Sequence, residues 1–208
     1  MYLISVNVGK KEPIENAGKS GYTGIYKRPA AGPVQVTELG LEGDAIVDVK
    51  NHGGFEQAVY AYGEPDYAWW AGELGRALEP GTFGENLTIA GLESARLSAG
   101  DRLQVGPVLL QVTYPRIPCS TLGARMGDMG FVRRFRFAER PGAYFRVLRT
   151  GPVQAGAPVT LEPYQGETVT LIELFRHFYE PRSDRDFLRR YLAAPLDIPD
   201  REEKQALL

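Results

Sequence analysis

Hydrophobic positions in the first 165 residues come in short runs cut by Gly and Pro. Residues 3–8 alternate and end at Gly9, residues 23–27 end before Pro29, and residues 34–37 follow. Residues 58–62 are rich in β-branched and aromatic side chains, which favour a strand. Residues 102–105 and 108–112 flank Gly106-Pro107 and predict a hairpin; residues 144–148 and 158–161 complete the strand set. Helical periodicity is confined to residues 64–74 and a broken pair between Ser120 and Glu139. Many short strands with turn signals and little helix predict a mostly β fold with some α, read as a β-barrel.

The texture changes at Tyr164-Gln165-Gly166. Residues 168–179 place Val169, Ile172, Phe175 and Tyr179 on one helical face. Ser183 and Asp184 open a second helix through Leu192, and Asp200 opens a third, with Pro195 and Pro199 as breakers between them. The expected division is a barrel over residues 1–164 and a three-helix extension over 165–208, docked on the barrel.

Composition narrows the class. The chain has 208 residues and a formal net charge of −2, enough length for a core that needs no disulfide or metal staple. No apolar run approaches membrane-spanning length, and the N-terminus lacks a basic stretch before an apolar one, so a cytoplasmic protein away from the membrane is expected. The single cysteine agrees with that compartment. Arginines outnumber lysines 18 to 6, and seven of them fall between Arg125 and Arg149. That is too little net charge for a nucleic-acid face, so no nucleic-acid partner is expected. Arg133, Arg134 and Arg136 read as one solvated helix face.

Candidate chemistry sits in loops. Cys119 ends Pro115-Arg116-Ile117-Pro118-Cys119, a segment stiffened by two prolines directly after a strand. Arg116, three residues earlier, can lower the thiol pKa by folding back over it. His52 precedes Gly53 and Gly54, which permit close backbone approach and expose N–H groups; His177 falls on a tail helix. A Cys–His nucleophile pair is open on composition, with no sequence sign that the two meet. Gly40 to Asp44, Gly81 to Asn86 and Gly100-Asp101 are further polar Gly-rich loops, and Lys27 and Arg28 place cations at the end of an early strand. No phosphate-loop or dinucleotide fingerprint is present.

The order of these segments is more specific than any one of them. Gly18 to Pro29, Gly40-Leu41-Glu42-Gly43-Asp44, His52-Gly53-Gly54, Phe83-Gly84-Glu85-Asn86-Leu87, Gly100-Asp101 and Pro115 to Cys119 closely resemble the MOSC domain (molybdenum cofactor sulfurase C-terminal domain) in its YiiM-like branch. The tail resembles that branch's three-helix extension. The resemblance implies a β-barrel that binds the molybdenum cofactor, with Cys119 giving its thiolate to the metal and acting in catalysis. It implies cofactor contacts from Lys27, Arg28, His52, Gly53, Gly54, Asn86 and Arg116. It further implies reduction of N-hydroxylated compounds such as 6-hydroxylaminopurine, a detoxification, with electrons from a separate reductase. A non-enzymatic cofactor carrier or sulfur-transfer protein is the alternative, and a Cys–His hydrolase a third. Oligomeric state is left open, a homodimer among the options.

Overall fold

The computed structural model describes residues 1–17, 20–49, 52–199 and 201–208. Gly18, Lys19 and Asp200 of the segments read above therefore lie outside the described residues. Strands β1 (Tyr2–Val8), β2 (Glu12–Pro13), β3 (Tyr22–Thr23), β4 (Arg28–Pro29), β5 (Val34–Thr37), β6 (Gly40–Leu41) and β7 (Val59–Gly63) come first. Helix α1 (Glu64–Leu74) leads to β8 (Leu87–Ala90), β9 (Arg102–Val105) and β10 (Val108–Val112). Helices α2 (Ser120–Met126) and α3 (Phe131–Ala138) precede β11 (Ala143–Arg149), β12 (Gly151–Val153) and β13 (Val159–Glu162). The tail carries α4 (Leu171–Tyr179), α5 (Arg185–Ala193) and α6 (Arg201–Gln205).

Eight strands form one curled sheet in the order β13-β9-β10-β11-β7-β8-β1-β4. It is a mixed α/β half-barrel whose seam is stitched by backbone bonds. Leu3 N donates to the Ala157 carbonyl at 2.9 Å, Gly156 N to Leu3 at 2.7 Å, and Val159 N to Met1 at 3.1 Å. Strand edges that would otherwise present free donors and acceptors are thereby covered. The predicted hairpin is present, with Val105 opposite Val108. β7 and β8 pair in parallel, which requires a crossover, and α1 supplies it.

The sequence reading missed β8, whose four residues are all buried and so show no alternation. The run at 23–27 is a strand only at its first residue. Lys27 N turns back to the Ile25 carbonyl at 2.8 Å, which breaks the ladder.

Strand β7 separates two cores. Val59 and Ala61 point into the barrel with Leu3, Leu103, Val105, Leu110 and Phe145. Tyr60 and Tyr62 point the other way, into an aromatic layer with Trp70, Phe83, Phe131 and Phe135. The period-two alternation of a strand enforces this division. The tail joins both cores: Val169, Leu171, Leu174, Phe187, Tyr191 and Ile198 pack with the barrel's own residues, while Phe175 and Tyr179 join the aromatic layer. Helix α4 begins three residues later than its periodicity suggests. Thr170 and Glu173 form a capping box there, with Glu173 N donating to Thr170 Oγ1 at 3.1 Å and Thr170 N to Glu173 Oε2 at 2.9 Å. Asp184 caps α5 by accepting from Phe187 N at 2.9 Å.

Because Phe187 is fully buried in the shared core, Phe187→Ala should cost about 3–5 kcal/mol in denaturant unfolding, within one cooperative transition. Two separated transitions would show that the tail unfolds on its own.

Candidate active site

The loops after β3, β6 and β10 and the loop before β8 converge on a cavity of about 690 Å³ beside β7 and β11. Glycines allow the loops to approach. A Cβ on Gly24 would stand 1.8 Å from the Ala45 carbonyl oxygen. Gly84 has φ +77°, and a Cβ there would meet Ile25 at 2.8 Å and Arg116 Nη1 at 3.4 Å.

Cys119 stands at the cavity wall as the N-cap residue of α2. Its Sγ lies 3.7 Å from His52 Nε2, and His52 Nδ1 lies 3.2 Å from the Tyr144 hydroxyl. In the tautomer that serves the thiolate, Nδ1 accepts from the Tyr144 hydroxyl and the Nε2 proton is directed at the sulfur. Burial pushes the thiol pKa up, but the His52 hydrogen bond and the Arg116 charge outweigh it and hold the thiol at about 6. Cys119 is therefore mostly thiolate at neutral pH.

Arg116 is the other unusual group. It is 4% exposed, donates from Nη1 to the Phe83 carbonyl, and sits over the Tyr60 ring at 5.2 Å. Its Nε has no hydrogen-bond partner, and among the described residues no carboxylate pairs with it. A buried guanidinium with a thiolate as its nearest counter-charge makes the cavity floor attractive to an anion.

Lys27 behaves differently, because its charge is already used. It forms a buried ion pair with Asp44. Asp44 also accepts from Gly9 N at 2.7 Å and Asn86 Nδ2 at 2.8 Å. Burial lowers the Lys27 pKa, with Asp44 opposing that shift. Asn86 accepts from Tyr60 N at 3.1 Å and donates its own N–H to the Tyr60 carbonyl at 2.8 Å. These three side chains clamp β1, β7 and the Asp44 loop together beneath the cavity.

Of the residues singled out by sequence, Lys27, His52, Asn86, Arg116 and Cys119 line this cavity. Arg28 does not. Its neighbour Lys27 turns inward, so the next side chain on the strand turns outward, where Arg28 pairs with Glu12 in solvent. Gly53 and Gly54 are also absent from the lining; Gly53 packs toward Ile46 and Gly54 precedes a short 3-10 turn. Asn51 lies outside the described residues. His177 is structural: its Nδ1 accepts from Arg182 N at 2.8 Å. Sequence reasoning assigned no role to Asp44, Tyr60 or Tyr144. Asp44 was visible at the end of a Gly-rich loop; the two tyrosines read only as strand residues. Glu85, one residue from Asn86, is fully buried outside the lining and staples its loop, accepting from Tyr67 Oη and Gly81 N, both at 2.6 Å.

Among the described residues no three His, Cys, Asp or Glu side chains cluster as a metal cage. A metal bound here must bring most of its own ligands and take at most a thiolate from the protein. A soft thiolate, an unpaired buried cation and this volume fit a metal carried on an anionic, sulfur-bearing organic cofactor.

A curled β-wall holding such a thiolate pocket defines a cofactor-binding class of protein. This chain belongs to the MOSC domain family, which residues 48–160 match. MOSC domains are associated with molybdenum-cofactor binding, and this chain is YiiM-like. It is similar to the crystal structure of YiiM from Geobacillus stearothermophilus, with 30% identity, a TM-score of 0.79, and coverage of 100% of this chain and 98% of that one. It is 39% identical over 159 residues to the uncharacterized protein YflK of Bacillus subtilis, spanning 76% of this chain and 72% of that protein. It is 34% identical over 148 residues to a protein named reductase from Gibberella moniliformis, covering 67% of this chain and 26% of that much longer protein.

Alkylation of Cys119 by iodoacetamide in the apoprotein should be half-maximal near pH about 6. His52→Asn should move that midpoint toward the ordinary thiol value of about 8.5. The folded pKa lies below the unfolded one, so the thiolate's contribution to stability is full above about pH 8.5 and lost as pH falls through about 6. An unmoved midpoint in the variant would show that His52 does not hold the thiolate.

Proposed function

We propose that this chain is a molybdenum-cofactor-dependent reductase of N-hydroxylated compounds, hydroxylaminopurines among them. The observation that carries the reading is the Cys119 thiolate, held ionised by His52 and Arg116 in the wall of a cofactor-sized cavity. Family membership and the reductase-named relative support it.

The reaction is R–NH–OH + 2 e⁻ + 2 H⁺ → R–NH₂ + H₂O. The cofactor, when bound, supplies the two-electron redox change and the oxygen acceptor. Cys119 offers the sulfur ligand, and its thiolate form is ready without prior deprotonation. Arg116 offsets the negative charge of the cofactor's anionic groups; its lack of a carboxylate partner leaves it available for that role. Tyr144 orients the His52 ring and keeps its Nε2 proton on the sulfur side. The Lys27–Asp44–Asn86 clamp sets the positions of the loops and contributes hydrogen bonds more than net charge. Electrons come from a separate donor protein in this reading.

The 3.7 Å approach of Cys119 to His52 also suits a Cys–His nucleophile, the second reading. Protein purified from a host that makes the cofactor separates the readings. Molybdenum and pterin at equal molar content, with reduction of 6-hydroxylaminopurine by a chemical reductant, support the reductase. Metal content without turnover indicates a cofactor carrier, and thiol-dependent hydrolysis without metal indicates the nucleophile. In the reductase, Cys119→Ser should abolish turnover and lower the unfolding midpoint at neutral pH, because the thiolate that offsets Arg116 is lost, while circular dichroism of the folded protein matches wild type. Arg116→Ala should weaken cofactor retention by about tenfold or more, since a charge-assisted contact is worth about 1.5–3 kcal/mol; pterin content after dialysis measures it.

A further inference from the structure

A second concavity, of about 430 Å³, lies on the surface over α1 and α3. Trp69, Glu73, Arg133, Arg134, Phe137 and Arg140 line it, with Trp70 at its floor. Three of the seven arginines of the basic middle segment lie here, against one carboxylate, and the cavity chemistry uses none of the three.

Their geometry says what they are open to. Arg140 stacks over Trp69 at 4.9 Å, Arg133 over Phe137 at 5.7 Å, and Arg134 over Phe131 at 6.0 Å. These contacts hold the guanidinium groups beside aromatic rings, and Arg133 and Arg134 stay exposed, with N–H edges that a partner can reach even though Arg134 also donates to the Glu73 carbonyl at 3.4 Å. Those edges match carboxylates. Local acids do little to fill them: Arg134 reaches Asp128 only at 4.0 Å, and Arg133 has no carboxylate partner among the described residues. Arg140 does pair with buried Asp66 through one nitrogen at 2.7 Å. Phe137 remains 65% exposed amid this charge. An exposed aromatic ring beside two exposed arginines is the composition of a protein-binding centre.

The groove also backs onto the active site. Trp70 contacts Phe83 with ring centroids 6.0 Å apart, and the Phe83 carbonyl accepts from Arg116. One aromatic layer thus separates groove floor and cavity wall. We propose that this face docks the electron-donor protein, an acidic protein that presents carboxylates around its redox group, and that Arg133 and Arg134 select it by charge. The proposal rests on the reductase reading. Each docking event delivers electrons from the donor's reduced redox group, and two electrons with two protons are consumed for each N–O bond cleaved to give amine and water.

The test uses holoprotein and two donors: reduced methyl viologen, a small molecule, and a reduced flavodoxin, an acidic FMN protein. Wild-type protein should bind flavodoxin, measured by fluorescence anisotropy of labelled flavodoxin, and turn over with either donor, with binding falling steeply as salt rises. The double charge reversal Arg133→Glu with Arg134→Glu should weaken binding and raise the flavodoxin KM by about tenfold or more. Its viologen-driven rate and circular dichroism should match wild type. Equal flavodoxin binding and KM in the variant would overturn the docking face. So would a wild type that turns over with viologen but neither binds nor accepts flavodoxin, or a variant that loses both activities together. No turnover with viologen in the wild type refutes the reductase reading; flavodoxin binding that still depends on these arginines would then leave the docking face standing as a site for acidic protein alone.

Discussion

Strand β7 is buried on both faces, and each face makes a different demand. Its inward residues, Val59 and Ala61, must be small and apolar to close the barrel. Its outward residues, Tyr60 and Tyr62, carry hydroxyls that need partners in a dry layer. Tyr60 donates to the Pro141 carbonyl at 2.9 Å, and Tyr62 donates to Arg140 at 2.7 Å while accepting from Trp70. The site hangs from this strand. Tyr60's backbone is held by Asn86, its ring lies under Arg116, and it packs at 5.1 Å on Tyr144, which orients His52.

Two buried cations near that strand show how burial and function divide. Lys27 is matched to Asp44, whose carboxylate two further hydrogen bonds satisfy, so the pair stabilises loops and leaves little field for a ligand. Among the described residues Arg116 has no such partner. Leaving a buried charge without an opposite one costs several kcal/mol even after relaxation. The fold tolerates that cost where a thiolate partly offsets it, and the same imbalance lowers the thiol pKa. Strain of this kind at a site, supported elsewhere by a continuous core, is the expected arrangement for a protein that binds an anionic group.

The tail contributes to that support. Its helices are short and would be marginal alone, yet their apolar stripes complete the barrel core. Tyr114 donates to the Asp197 carbonyl and Arg146 to that of Pro195, so the segment after α5 is tied to the strands that flank the site. Glu173, held near 2 by Arg190 and the capping box, anchors the start of α4 to α5.

Much of this was legible in the sequence because it is local. Short apolar runs marked most of the main strands and the hairpin at Gly106-Pro107, helical periodicity and capping residues marked the helices of the tail, and the order of Gly-rich loops pointed to the family. Prolines around Cys119 marked a stiff loop at a strand end. Other features are decided only by tertiary structure. β8 is buried on both faces and so lacks the alternation that reveals a strand. Lys27 and Arg28 are adjacent cations in the sequence; only the fold turns one inward to Asp44 and the other outward to Glu12. Nothing local brings Cys119 or Tyr144 to His52, since 67 and 92 residues separate the contacting pairs. Sequence carries the identity of each reactive group, but reactivity depends on distance and burial, and those are set when the sheet closes.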